Sequence, residues 1–164
     1  MRTGKYIAIT LMMLLLSSAT IAAQEWEASL YQQIETSILL PQLHESEVAI
    51  TSCGAKPSAS AVANQRAIQR AIDQCSKKGG GKVIIPAGQT FKTGAIEMKS
   101  GVNLVVEEDA VLEFVFEPAL YPIVETSWEG LDCYNLSPCI YAFRAHDIAI
   151  SGKGTIDGGG NKET

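Results

Sequence analysis

Asn103-Leu104-Val105-Val106-Glu107-Glu108-Asp109-Ala110-Val111-Leu112-Glu113 reads as a short apolar strand, a polar corner and a second short strand. Upstream by 21 residues, Lys82-Val83-Ile84-Ile85-Pro86-Ala87-Gly88 begins in the same way. Downstream by 44 residues, Asp147-Ile148-Ala149-Ile150-Ser151-Gly152-Lys153-Gly154-Thr155-Ile156-Asp157 repeats the strand, small-residue corner and strand. Offsets of one and two 20-odd-residue units are what stacked coils of a parallel β-solenoid require, each coil burying its apolar face only against its neighbours. In such a fold, function sits on one long face.

Outward from these repeats, the chain after Gly79-Gly80-Gly81 is a series of short runs rich in Val and Ile: Val83 to Ile85, Phe91 to Thr93, Ala95 to Met98, Val102 to Val106, Val111 to Phe116, Ile140 to Arg144, Ile148 to Ile150, and Thr155 to Ile156. No helical pattern separates them, which excludes a βαβ arrangement and leaves sandwich, barrel or solenoid; the repeated unit favours the solenoid. Ahead of them, Ala67, Ile68, Ala71, Ile72 and Cys75 fall on one stripe of a helix from about Gln65 to Lys78. Asn64 is placed to cap its start and Gly79 to take the left-handed stop. A polar-backed helix here would cover the apolar core and strand edges at the open end of the first coil; a helix packed on the side of an α/β sheet is the competing arrangement. Val48 to Thr51 reads as a first strand ended by Gly54. Between Glu117 and Cys139 no alternating pattern shows, yet Tyr121, Trp128 and Tyr134 argue against disorder, so this stretch reads as an ordered insertion beside the groove.

At the N-terminus, Arg2 and Lys5, the apolar run from Ile7 to Leu16 and the small residues from Ser17 to Ala23 form a secretory signal peptide, residues 1–22, the apolar run being too short for a spanning helix. Residues 23–47 read as a leader segment, with Trp26, Leu30 and Ile34 at helical spacing, and 48–164 as the β domain. Without residues 1–22 the chain keeps 11 Lys+Arg against 18 Asp+Glu, a net of about −7, and shows no basic stripe, which disfavours nucleic acid. Export permits disulfides, and Cys53, Cys75, Cys133 and Cys139 allow three pairings. Cys133 and Cys139 could staple one loop, while Cys75 suits a buried apolar position. No Cys-x-x-Cys occurs and neither His44 nor His146 lies close to a cysteine, so no metal site is expected. The three glycines at 79–81 follow a helix and precede a strand, the reverse of a phosphate-cradling loop, and are structural.

With these residues in view the chain resembles the N-terminal part of glycoside hydrolase family 28, the polygalacturonases and their pectin-degrading relatives. The matching pieces run from Gly54-Ala55-Lys56, through the helix Asn64 to Cys75 and Gly79 to Gly88, to Tyr121-Pro122, Trp128-Glu129-Gly130, Ser137-Pro138-Cys139-Ile140-Tyr141-Ala142 and Gly152-Lys153-Gly154-Thr155-Ile156-Asp157-Gly158. They cover about Val48 to Gly160. The chain departs from the family at Ser52-Cys53, where Asp-Phe is usual, and across Ser58-Ala59-Ser60-Ala61 and Ala63-Asn64-Gln65. The resemblance implies an all-β, right-handed parallel β-helix with an N-terminal capping α-helix, truncated here after the first few rungs. It implies a secreted (periplasmic or extracellular) protein, monomeric when full length. Its substrate would be a pectic polysaccharide or oligogalacturonide, hydrolysed with inversion, and it would need no cofactor.

Family members carry their active-site Asn-Thr-Asp, Asp-Asp, Gly-His-Gly and Arg-x-Lys downstream of the Gly-Thr-Ile-Asp-Gly piece, and none of these occurs here. An inverting pair of carboxyls must stand far enough apart to admit a water, and no residue of this chain is assigned that role. Asp157 before Gly158 reads as turn chemistry, and Glu107, Glu108 and Asp109 as a solvated corner. Trp128, Glu129 and Tyr134 are the candidates for touching sugar, an aromatic face stacking on a pyranose and a carboxylate binding hydroxyls; anchoring of the insertion is the structural alternative. A polysaccharide lyase of the same fold or a non-catalytic glycan-binding solenoid are the alternative functions.

Overall fold

The structure, a computed structural model, describes Trp26 and residues 28–160; the expected signal segment lies outside the described residues. One compact unit ends at Leu40 and a second begins at Pro41. In the first, residues 28–37 form a helix, α1, on which Leu30 and Ile34 share a stripe. Among the described residues no helix is long and apolar enough to cross a membrane.

The second unit is mostly strand. It begins with β1 (Glu47–Ala49) and a 3-10 turn (Ile50–Cys53), where a strand to Thr51 was expected. With Gly54 at φ +96°, the Gly54 N–H donates to Thr51 O and the Ala55 N–H to Ile50 O, which winds these residues up instead of letting them extend. Helix α2 (Ala61–Lys77) starts earlier than the apolar stripe indicates. Ser60 is its N-cap, accepting from Ala63 N, and Asn64, the expected cap, is fully buried inside the first turn. At the other end Gly79 N–H reaches Ser76 O and Gly80 N–H reaches Cys75 O, both 3.0 Å, the Schellman pattern that a left-handed Gly79 permits.

After α2 the chain passes three sheets in turn and returns to the first. A first turn comprises β2 (Gly81–Ile85), β3 (Thr90–Thr93) and β4 (Ile96–Glu97); a second comprises β5 (Val102–Val106), β6 (Val111–Phe114) and, after an inserted hairpin, β9 (Ile140–Tyr141); a third holds β10 (Ala149–Gly152) and β11 (Thr155–Asp157). The sheets are β1-β2-β5-β10, β11-β6-β3 and β4-β9, and every pairing in them is parallel. Turns one and two are offset by 21 residues in the first two sheets, Lys82 facing Asn103 and Thr90 facing Val111.

Between turns two and three the offset is not single. Val111 faces Thr155, 44 residues on, but Asn103 faces Ala149, 46 on. The corner from Gly152 to Thr155 is therefore two residues shorter than the corner from Val106 to Val111. Glycine makes the shortening possible: Gly152 stands at φ +111°, and a Cβ there, or on Gly154, would run into the carbonyls of Val106 and Glu107. Two residues is one strand period, so the inward face is preserved.

The core is a set of ladders through these turns. Val83 and Leu104 stack in register, as do Phe91 and Leu112, and all four are 0% exposed. On the third turn the same ladder positions, Ile150 and Ile156, are 51% and 40% exposed. At the opposite end β1 covers the edge of β2, and α2 covers β3 and β4. Its apolar stripe, Ala67, Ile68, Ala71, Ile72 and Cys75, is buried against the core. A row of polar side chains on α2 meets the free backbone groups of the first turn. Asn64 Nδ2 donates to Lys92 O (3.1 Å), Gln65 Nε2 to Ala95 O (2.7 Å), Gln69 Nε2 to Glu97 O (3.0 Å) and Ser76 Oγ to Ser100 O (2.9 Å). A sheet edge is stable under a helix only when its N–H and C=O groups find such partners, and among the described residues no buried side-chain N or O lacks one.

Candidate functional site

The insertion is a β-hairpin, β7 (Ile123–Trp128) paired antiparallel with β8 (Leu131–Leu136). Glu129 and Gly130 form its two-residue turn, with φ of 50° and 85°; both central residues at positive φ is the type I′ geometry whose twist matches the strands. Alternation along paired strands then sorts the expected sugar-touching residues. Trp128 faces Leu131 on one side of the ribbon, while Tyr134, opposite Glu125, lies on the other. Both aromatics are exposed, and Glu129 occupies the turn between the strands. Trp128, Glu129 and Tyr134 thus do not share one face.

What the structure brings together lies at the hairpin root. A cleft of about 520 Å³ opens between α2, β4, β7 and the segment after β9, lined among others by Arg66, Gln69, Glu97, Glu125, Tyr141 and Phe143. A second hollow of about 310 Å³ adjoins it and shares Glu125, Tyr141 and Phe143. The first volume falls within the range of roughly 300–1,000 Å³ usual for small-molecule sites.

The side chains of this cleft are fixed by the elements that carry them. Gln69 is held on both sides of its amide, Nε2 donating to Glu97 O and Oε1 accepting from Glu97 N at 2.9 Å. Tyr141 donates its hydroxyl to Glu125 O at 2.7 Å and so ties β9 to β7. Burial, with the carboxylates of Glu125 and then Glu97, raises the Tyr141 hydroxyl above its ordinary pKa and keeps it a neutral donor. Tyr141 and Phe143 lie two residues apart with rings parallel within 5° and centroids 6.3 Å apart, and the Arg144 guanidinium sits 5.0 Å from the Phe143 centroid. Lys99 Nζ pairs with Glu97 at 2.6 Å. Flat apolar rings beside a fixed amide and a lysine-paired carboxylate are a binding arrangement.

Sequence reading passed over Tyr141 and Phe143 as strand residues. The one signal was their i, i+2 spacing, which places both rings on one side of the chain but does not say that the hairpin will roof them.

The remaining sequence candidates occupy corners. Asp157 Oδ1 accepts from Gly159 N at 2.9 Å, a local turn bond. Glu107 Oε2 accepts from Ala87 N at 2.9 Å and Asp109 stands at φ 59°, so this acidic corner binds the neighbouring one. His44, His146 and Asp147 line a separate hollow of about 350 Å³. There Asp147 accepts from Gln42 N (3.0 Å) and contacts His146 Nδ1 (2.8 Å), and the His146 contact and then the Gln42 N–H hold its carboxyl below the usual range. Among the described residues no group of three or more His, Cys, Asp or Glu could hold a metal. The four cysteines are free thiols in this structure, and burial raises Cys75.

No protein-family model matches the chain. Over 100 residues it is 30% identical to an endo-polygalacturonase of Pectobacterium carotovorum subsp. carotovorum, a match covering 57% of this chain and 24% of that protein. It superposes on the hyperthermoactive exopolygalacturonase of Thermotoga maritima with a TM-score of 0.73 and 34% identity, covering 80% of this chain and 29% of that one. On the family 28 exopolygalacturonase of Yersinia enterocolitica the TM-score is 0.60 and the identity 30%, over 69% of this chain and 21% of that one. The chain therefore spans between 21% and 29% of the length of these relatives. The family 28, polygalacturonase-like resemblance read in the sequence is borne out.

Proposed function

We propose that this chain is the N-terminal part of a secreted, pectin-degrading glycoside hydrolase. In this reading its turns begin a right-handed parallel β-helix, and the complete protein hydrolyses α-1,4-galacturonan with inversion, without a cofactor. The catalytic carboxyls belong to later turns, so the 164 residues alone are inactive. The observation that carries the reading is the likeness to exopolygalacturonase of Thermotoga maritima, 34% identity at a TM-score of 0.73 over 80% of the chain. The exposed ladder residues Ile150 and Ile156 support it, since a further coil with apolar residues in register would bury them. Residues 1–22 are its signal peptide and 23–47 its leader, and the complete protein works as a monomer. Trp128, Glu129 and Tyr134 are proposed contacts to polysaccharide, Trp128 and Tyr134 from opposite sides of the hairpin.

The test is to express both the 164-residue chain and the product of the complete reading frame, and to follow products released from polygalacturonate. The complete product should release saturated oligogalacturonides with new reducing ends, and the 164-residue chain none. Unsaturated products would replace the hydrolase by a lyase, and binding without cleavage by a glycan binder. Cleavage by the 164 residues unaided would overturn the placement of the catalytic groups.

A further inference from the structure

We propose that the outer face of α2 is a second binding surface, one that takes an acidic polysaccharide carrying one carboxylate per sugar. It lies on the side of the helix turned away from the core and needs no catalytic group, so it goes beyond the hydrolase reading.

Charge is unevenly distributed along the chain. Residues 48–96 hold seven Lys or Arg against one Asp, whereas residues 97–160 hold three against eleven Asp or Glu. Lys82 and Lys92 are paired with the carboxylates of Glu45 and Glu113. The other five cations of the first stretch, Lys56, Arg66, Arg70, Lys77 and Lys78, make no ion pair among the described residues. Linear spacing conceals what the helix does with them. Arg66, Arg70, Asp73 and Lys77 stand at i, i+4, i+7 and i+11, one row opposite the buried stripe that includes Ile68, Ala71 and Cys75. The three cations of the row are exposed, and Arg70 is held in place by donating from Nη2 to Cys53 O at 2.6 Å. Asp73, the one carboxylate on α2, is half-buried and accepts from Gln69 Nε2 at 3.0 Å.

Helix stability does not account for this row. Lys77 suits the negative end of the helix, but the macrodipole acts only within the last turn. Arg66 and Arg70 lie in the helix interior and have no carboxylate in ion-pair reach. The kind of partner follows from what surrounds the charges. Val62 is the one exposed large apolar side chain on α2. The face therefore lacks the apolar and aromatic anchors that hold a protein partner, and the rings on which bases stack. Along the axis the cations stand about 6 and 10 Å apart, at roughly 1.5 Å per residue. So dilute a row matches one charge per sugar better than duplex DNA, with one charge per roughly 1.7 Å. A molecule acidic elsewhere also presents this end first to a polyanion.

The test is binding of alginate, a polyuronate that is not a galacturonan, to the protein expressed from its complete reading frame, measured by interferometry at low and at physiological salt. Arg66→Gln, Arg70→Gln and Lys77→Gln combined should weaken binding at least about tenfold at low salt and flatten its salt dependence. Asp73→Asn should strengthen binding about twofold, a gain that misfolding cannot produce. Lys153→Gln, an exposed cation on the third-turn corner, should change it less than about twofold. Should the triple variant melt early, Asp73→Asn carries the test alone. No alginate binding, unchanged affinity in a folded triple variant, no gain in Asp73→Asn, or a loss in Lys153→Gln equal to that of the triple variant would overturn the surface. Uncharged dextran bound as tightly as alginate would overturn the role of charge, and polyglutamate or DNA bound as tightly would overturn the assignment to a polysaccharide. Hydrolysis of polygalacturonate does not enter, so failure here leaves the pectinase reading standing, and failure of that reading leaves this surface standing.

Discussion

The stacked turns and the inserted hairpin use the same kinds of residue to opposite ends. Phe91 and Leu112 sit in the ladder at 0% exposure, while Trp128 and Tyr134 on the hairpin are 68% and 76% exposed. Strand pairing is present in both. The difference is that the strands of the turns enclose a common interior, with α2 lying over the edge at β3 and β4, whereas β7 and β8 form a separate ribbon outside it. Burial is thus a property of facing that shared interior, which a ribbon standing outside the turns does not do.

The largest expected effect tests this difference directly. Phe91→Ala should cost about 3–5 kcal/mol in urea unfolding, through lost transfer energy and a cavity the ladder cannot close. Trp128→Ala should stay within about 0.5 kcal/mol of the parent. Equal losses would mean that the hairpin is packed in solution, and the distinction between the two regions would fall.

A smaller effect lies at their junction. Tyr121 donates its hydroxyl to Val115 O at 3.0 Å, and burial, with the neighbouring Cys139 thiol, pushes its pKa up to about 12. The fold favours the protonated phenol, so this stabilisation is complete below the ordinary tyrosine value of about 10. It is lost as pH rises from there through about 12. Melting temperature should fall across that window, and Tyr121→Phe should flatten the fall; an identical slope in the variant would show that Tyr121 is not the group responsible.

The smallest effect concerns the hairpin tip. Glu129 adopts φ 50° in a type I′ turn that prefers Asn, so Glu129→Asn should stabilise by a few tenths to about 1 kcal/mol in the same urea assay. A loss of stability instead would mean that the Glu129 side chain holds the tip through something other than backbone geometry.

Residue pattern was readable where one face is buried. The 21-residue repeat of Lys82 and Asn103 appears as register in the sheet, and the stripe from Ala67 to Cys75 as the buried side of α2. The hairpin escaped because its covered face, at Val124, Thr126 and Cys133, is only half-buried, so alternation in residues 123–136 is weakly selected. The third turn was read two residues out along β10, because a glycine corner can shorten without changing which side chains point inward. Asn64 looks like a cap beside an apolar stripe, but it accepts from Lys56 N and donates to Lys92 O in the interior.

From the linear chain alone one can derive repeating turns, a covering helix, the family likeness and the absence of the family's catalytic pieces, because these follow from local periodicity and short motifs. The polar row by which Asn64, Gln65, Gln69 and Ser76 close the first turn's edge became visible only on folding, as did the opposed faces of Trp128 and Tyr134 and the cleft at Tyr141 and Phe143. Each depends on groups that meet across tens of residues, and spacing along one strand or helix carries no record of which other element will lie against it.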